Sequence, residues 1–154
     1  MDTVSAFDFL HSLFMLKSLL GAEFGNSGKS DRPTLSMQEY VLMKKASEAK
    51  NGNTDLTGIR EFLAISKAAV SQMLSSLERR GLINREVDPQ NRRNLILSLT
   101  STGRIALKEK SVEVDQRIAE IISYMGEPDA LQFTAIIEKM NDALKASSEN
   151  RRSL

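Results

Sequence analysis

Apolar positions near the start of the chain are too many for one face of a helix. Eight Phe and Leu residues lie between Ser5 and Leu20, at spacings that cover more than one helix face. A surface helix of a small monomer has a single apolar stripe facing the core. This segment therefore needs burial on two sides, which a second copy of the chain would supply. Residues 21–33, rich in Gly, Asn, Ser and Asp, are predicted to form a loop.

A second helix is predicted to begin at Ser36. Ser36 and Glu39 have the spacing of a capping box, in which two side chains satisfy free amide groups of the first turn. Residues 51–53 (Asn-Gly-Asn) accept positive φ and are predicted to end the helix. The residues expected to face inward are Met37, Tyr40, Val41 and Ala46.

Two short helices are predicted to follow in close succession. Asp55 is expected to cap the first, over residues 56–63, and Ser66 the second, over residues 67–80. Gly81 closes the second helix. An amphipathic stripe at i, i+3, i+4 and i+7 runs along this helix and consists of Val70, Met73, Leu74 and Leu77.

The apolar period then changes from helical to alternating. Residues 82–87 and 95–99 are predicted to be strands. The turn-rich segment 88–94 between them carries Arg92 and Arg93. A hairpin directly after a helix pair is a wing, so the pattern predicts a winged helix-turn-helix.

The rest of the chain is predicted to be helical. Thr100 can cap a long helix that runs to about Met125, and Gly126 and Pro128 mark a break and a restart. The polar tail after Ala146 is expected to fray. Apolar residues at helical spacing along the last helix are Phe133, Ile137, Met140 and Leu144.

The outer face of the 67–80 helix indicates contact with double-stranded DNA. Opposite the apolar stripe this face is short, polar and free of acidic residues, whereas a generic solvent face mixes Glu and Lys. Gln suits adenine edges, Ser is adaptable, and an Ala methyl can pack on thymine. Lys67 and Arg79 lie near the two ends, where phosphates would pass. The predicted DNA-contacting residues of this helix are Lys67, Ala68, Ser71, Gln72, Ser75 and Arg79.

The wing supplies a second predicted contact. Arg92 and Arg93 at a hairpin tip could enter a narrow A·T-rich minor groove, where the potential is most negative. The alternative interpretation is a solubilising loop. The neighbours Gln90, Asn91 and Asn94 are uncharged, which favours a DNA contact.

Charge is distributed unevenly along the chain, although the net charge is only +1. Residues 60–110 contain ten Lys/Arg and five Asp/Glu, a local net of +5. The remainder contains eleven Lys/Arg and fifteen Asp/Glu, a net of −4. A basic middle between acidic ends is typical of a phosphate-facing lobe.

The composition argues against an enzyme. The chain has no cysteine, which excludes disulfides and thiolate metal sites, and its one histidine is His11. No catalytic, metal or cofactor site is predicted. The segment Gly25–Ser30 resembles a phosphate loop only superficially, because position 23 is Glu23 where such a loop needs glycine.

The apolar run Phe9–Leu20 does not predict a membrane segment. His11 and Lys17 interrupt it, and no basic leader precedes it. We therefore expect a cytoplasmic protein without a membrane partner.

Several motifs together resemble the MarR family of winged-helix regulators. They are Leu35-Ser36-Met37-Gln38, Ile65-Ser66-Lys67, Leu77-Glu78-Arg79-Arg80-Gly81-Leu82-Ile83, Asp88-Pro89, Arg92-Arg93 and Leu97-Ser98-Leu99-Thr100. The resemblance covers nearly the whole chain. It implies a dimer held by the first and last helices, a recognition helix in the major groove, and Arg92 in the minor groove. Two positions depart from the family pattern: Ala64 stands where Gly is usual, and Asn91 where Asp is usual.

The predicted fold is mainly α with a small β-hairpin wing (α+β). A winged helix-turn-helix DNA-binding lobe spans residues 36–100, a helical dimerisation region spans 5–20 and 101–147, and residues 1–154 form one unit. The predicted function is that of a homodimeric transcription regulator, a repressor, on a pseudo-palindromic operator. Its two recognition helices would lie about 34 Å apart. The alternative is a winged-helix module that binds a protein partner without specific DNA binding.

A small aromatic or apolar effector is a further partner that the resemblance implies. It would bind in an apolar cleft between the dimerisation helices and the DNA-binding lobe. The candidate lining residues are Phe14, Tyr40 and Phe62. The alternative interpretation is that these residues pack in the core and at the dimer contact.

Overall fold

The computed structural model describes residues 4–24, 34–91 and 95–152 and confirms a mainly helical fold with one small hairpin. The chain divides into two compact units, residues 1–111 and residues 112–154. The described elements are α1 (Ala6–Phe24), α2 (Met37–Glu48), α3 (Leu56–Leu63), α4 (Lys67–Arg79), β1 (Ile83–Val87), β2 (Leu95–Leu99), α5 (Ser101–Met125) and α6 (Glu127–Arg152).

Helix α1 runs one turn further than the sequence pattern predicted. The expected end was Leu20, but the helix includes Gly21 and continues to Phe24. The strong helix formers Ala22 and Glu23 outweigh the cost of a single glycine. The predicted loop therefore cannot begin at Gly21, and residues 25–33 lie outside the described residues.

The capping box of α2 is confirmed. The Glu39 amide donates to Ser36 Oγ at 3.1 Å, and the Ser36 amide donates to Glu39 Oε2 at 2.9 Å. The helix ends at Glu48, before the predicted breaker. A short 3₁₀ turn then places Asn51 and Gly52 at positive φ, 55° and 71°.

One hydrophobic core holds α2, α3, α4 and the hairpin together. Of the residues predicted to face inward from α2, Ala46 is buried, while Met37, Tyr40 and Val41 are half-buried. The largest buried side chains of α2 are instead Leu42 and Met43. The buried apolar residues are Leu35, Leu42, Met43, Ala46, Ile59, Val70, Leu74, Leu77, Leu82, Ile83 and Leu97.

The turn between α3 and α4 carries backbone strain at Ala64. Ala64 is left-handed (φ 51°, ψ 43°) and its amide donates to the carbonyls of Arg60 and Glu61. A left-handed residue with a Cβ costs about 1 kcal/mol or more. The chain thus accepts strain where the family pattern has glycine.

The hairpin and α5 are joined at one point. In the antiparallel register Ile83 lies opposite Leu99. The Thr100 amide donates to the Leu82 carbonyl at 3.1 Å, and the Thr100 hydroxyl donates to the Gly81 carbonyl at 2.6 Å. The Gly103 amide donates to Thr100 Oγ1 at 2.9 Å, which confirms the predicted cap of α5.

Residues 112–154 contain the end of α5 and all of α6. Gly126 breaks the two helices at a φ of 86°, as predicted. Contrary to the predicted fraying after Ala146, α6 continues to Arg152. Glu and Arg in this tail favour helix despite their polarity. No helix in the described ranges is long and apolar enough to cross a bilayer.

Candidate nucleic-acid interface

Helix α4 buries one side and exposes the other. Val70, Leu74 and Leu77 are buried, and Met73 is half-buried. The opposite side, which we call the polar face, is formed by six exposed residues. They are Lys67, Ala68, Ser71, Gln72, Ser75 and Arg79. All six predicted contact residues of α4 therefore lie where a macromolecule can reach them.

The start of α4 is set by Ser66. The Ala69 amide donates to Ser66 Oγ at 3.1 Å, as the sequence predicted. This cap leaves the positive end of the helix dipole beside Lys67, which favours a phosphate nearby.

The end of α4 is anchored to the start of α2 through Arg80. Arg80 Nη1 donates to Glu39 Oε1 at 2.7 Å, and Arg80 Nη2 donates to the Thr34 carbonyl at 3.3 Å. The side chains of Arg80 and Glu39 are 24% and 12% exposed, so solvent screens this pair less than a surface pair. Glu39 thus has two roles: it completes the capping box of α2, and through Arg80 it holds the end of α4 against α2.

The hairpin is tied to the last turn of α4 by a second ion pair. Arg85 donates to Glu78 through Nε at 2.8 Å and also through Nη2. Glu78 is the only acidic residue of α4, and Arg85 compensates its charge. Sequence patterns missed both ion pairs, because no helix or strand periodicity relates the partners.

The wing tip is described only in part. The Gln90 amide donates to Asp88 Oδ1 at 2.8 Å, and the Asn91 amide donates to the Asp88 carbonyl at 3.2 Å. These bonds form the first half of the turn. Arg92 and Arg93 lie outside the described residues, so their contact with the minor groove stays a prediction.

The three candidate effector residues lie in different surroundings. Phe14 of α1 is 60% exposed. Tyr40 is half-buried, with its hydroxyl 3.5 Å from Ser111 Oγ. Phe62 is 71% exposed and lines a cavity of about 510 Å³ beside the end of α2. Neither Phe14 nor Tyr40 lines that cavity. Within the described ranges, no three His, Cys, Asp or Glu side chains are grouped so that they could hold a metal ion.

Comparison with known proteins establishes the family. Residues 35–95, the segment that contains α2, α4 and β1, match the model of the MarR family. The transcriptional repressor MdtR of Bacillus subtilis is 30% identical over 112 residues, which are 73% of this chain and 70% of MdtR. The chain belongs to the MarR family. FarR of Neisseria gonorrhoeae, a transcriptional regulator, is also 30% identical, over 75% of this chain and 80% of FarR.

Solved structures support the same fold. PcaV, a transcriptional regulator of Streptomyces coelicolor, superposes with a TM-score of 0.63 over 93% of this chain and 99% of PcaV. The sequence identity is 22%, so this likeness concerns the fold. As a MarR-family member, the protein is a DNA-binding transcriptional regulator with a winged-helix fold. The family and these relatives are regulators and not enzymes.

Proposed function

We propose that this MarR-family protein represses transcription as a homodimer on a pseudo-palindromic operator and that a small effector releases it. The polar face of α4 is the observation that carries the proposal. Six exposed residues without an acid lie opposite a buried stripe, on a helix anchored at its C-terminal end by Arg80. Such a face can approach base edges without repelling phosphates.

Within this interface each residue has a proposed role. Gln72 would pair with the N6 and N7 atoms of adenine, and Ser75 would bond to a base or a sugar. Ser71 would bond to the backbone beside them. Ala68 would pack on a thymine methyl. Lys67 and Arg79 would bind phosphates. Arg92 and Arg93 would enter the minor groove from the wing.

Homodimerisation is supported by the unpartnered apolar surface of α1. Every side chain of α1 is exposed or half-buried, and Phe7 is 74% exposed. Monomeric proteins rarely leave apolar patches of this extent in water. In residues 112–154, Leu131, Phe133 and Ile136 are exposed as well. A second copy of the chain would cover these surfaces and supply the second α4.

The direction of regulation and the effector are proposed from relatives. MdtR is named a repressor. PcaV has been crystallised with its natural ligand. By analogy, Phe14, Tyr40 and Phe62 are proposed to contact a small aromatic or apolar effector, which would change the spacing of the two α4 helices.

Selection of duplexes from a random-sequence pool tests the proposal. The enriched duplexes should contain two inverted half-sites about 10 base pairs apart, and ultracentrifugation should find two chains per duplex. Phe7→Asp should weaken the dimer and with it the binding, whereas Ser12→Asp, a matched charge on the same helix, should have little effect. A pool that shows no enrichment would refute the proposal and favour a module that binds a protein partner.

A further inference from the structure

A basic cleft runs along one side of α4, between this helix, the start of α3 and the hairpin. Its volume is about 630 Å³, and it lies within residues 1–111. The cationic side chains and exposed hydroxyls of its lining come from three elements. They are Thr57 and Arg60 of α3, Lys67 and Ser71 of α4, and Arg85 of β1.

The charges of the cleft are unequally compensated. Arg85 is bound to Glu78. Arg60 and Lys67 make no side-chain hydrogen bond or ion pair to any residue in the ranges that the structure describes. The single acidic lining residue is Asp55, whose Oδ1 accepts the Gly58 amide at 2.9 Å as the cap of α3. The cleft therefore keeps an excess of positive charge.

The cleft is continuous with the polar face of α4, because Lys67 and Ser71 belong to both. If α4 lies in a major groove, the DNA backbone at the rim of that groove passes the cleft. Arg and Lys side chains and the hydroxyls of Ser and Thr are among the groups that bind backbone phosphates.

We propose that this cleft binds one backbone phosphate of the DNA, with Arg60 and Lys67 as its charged ligands and Thr57 and Ser71 as hydroxyl donors. Arg60 thereby extends the interface from α4 to α3. The inference rests on the proposed DNA binding and adds a contact that positions α4 in its groove without reading sequence.

The test measures duplex affinity between 50 and 200 mM KCl for the selected duplex and for an unrelated one. Arg60→Gln should weaken both about five- to tenfold at low salt. It should lower the slope of log K against log [salt] by about 1.8, the value for two lost phosphate contacts, one from each subunit of the proposed dimer. Arg60→Lys should keep most of the slope. Lys45→Gln, which removes an exposed cation lining the cavity beside Phe62, is the matched control and should keep the wild-type slope.

Two results would overturn the inference. One is an Arg60→Gln protein that folds and keeps the wild-type affinity and slope. The other is a loss confined to the selected duplex, because Arg60 would then read bases. Failure of the proposed function gives a different result from failure of this inference. A wild type without sequence preference would refute the proposed function, but its salt slope could still be compared with that of Arg60→Gln.

A free phosphate ion could also bind in this cleft. A further titration distinguishes it from a phosphate of the DNA backbone. Inorganic phosphate replaces chloride at constant ionic strength in the duplex titration. We expect no loss of duplex affinity beyond that in chloride, since the cleft is open and the DNA positions its own phosphate. Competition by millimolar phosphate that disappears in Arg60→Gln would assign the cleft to a small anion and contradict the proposal.

Discussion

Ser71→Glu is expected to weaken duplex binding about 100-fold, or about 3 kcal/mol, while the protein stays folded. Ser71 is exposed at the middle of α4, on the polar face and at the rim of the basic cleft. A carboxylate there would face the phosphate backbone, and like charges brought together at an interface cost several kcal/mol. Glutamate is a strong helix former, so α4 itself should tolerate the substitution.

The matched control for this variant is Ser47→Glu. Ser47 is exposed on α2, outside the helix pair and the hairpin. Ser47→Glu therefore adds the same charge to the molecule, but away from the proposed interface. Fluorescence anisotropy with the selected duplex measures both affinities, and thermal unfolding checks the fold. Equal affinities for the two variants would mean that the polar face of α4 does not meet DNA.

Gly103→Ala is expected to lower the free energy of unfolding by about 2–4 kcal/mol. Gly103 is buried in the first turn of α5, where a Cβ would lie 1.9 Å from the Leu82 carbonyl oxygen. That oxygen also accepts a hydrogen bond from the Thr100 amide. The added methyl group must therefore displace backbone at the point where β1, β2 and α5 meet.

Gly21→Ala provides the control for this prediction. Gly21 also lies in a helix, but a Cβ built there meets no atom within 4 Å. Alanine should stabilise that helix by up to about 1 kcal/mol, because it removes the entropic cost of glycine. Denaturant unfolding of both variants measures the change in the free energy of unfolding, which should be negative for Gly103→Ala and positive for Gly21→Ala. If Gly103→Ala were as stable as the wild type, the close approach of α5 to Leu82 would be wrong.

Local signals predicted much of this fold from the sequence. Four predicted helix caps are confirmed, because each side chain accepts a hydrogen bond from a backbone amide. They are Ser36, Asp55, Ser66 and Thr100. The change from helical to alternating apolar spacing after Gly81 located the hairpin. These features depend on residues a few positions apart, which a sequence displays directly.

Features that depend on tertiary packing were missed. Leu42 and Met43 are fully buried because α2 is covered on more sides than one apolar stripe implies. The pair between Arg80 and Glu39 joins residues 41 positions apart, and nothing in either segment indicates the other. Arg60 lies outside every motif of the sequence, and only the packing of α3 beside α4 brings it to the cleft with Lys67.

Gln72→Ala tests most directly whether the polar face of α4 reads bases. Affinities are measured for the selected duplex and for duplexes with each single base pair of one half-site exchanged. For the wild type, exchange of the base pair that Gln72 contacts should lower the binding free energy by about 1–3 kcal/mol. Gln72→Ala should bind equally well before and after this exchange, and should keep the wild-type preferences at the other positions. A profile for Gln72→Ala identical to that of the wild type at every position, or a wild type that binds all duplexes equally, would contradict the claim.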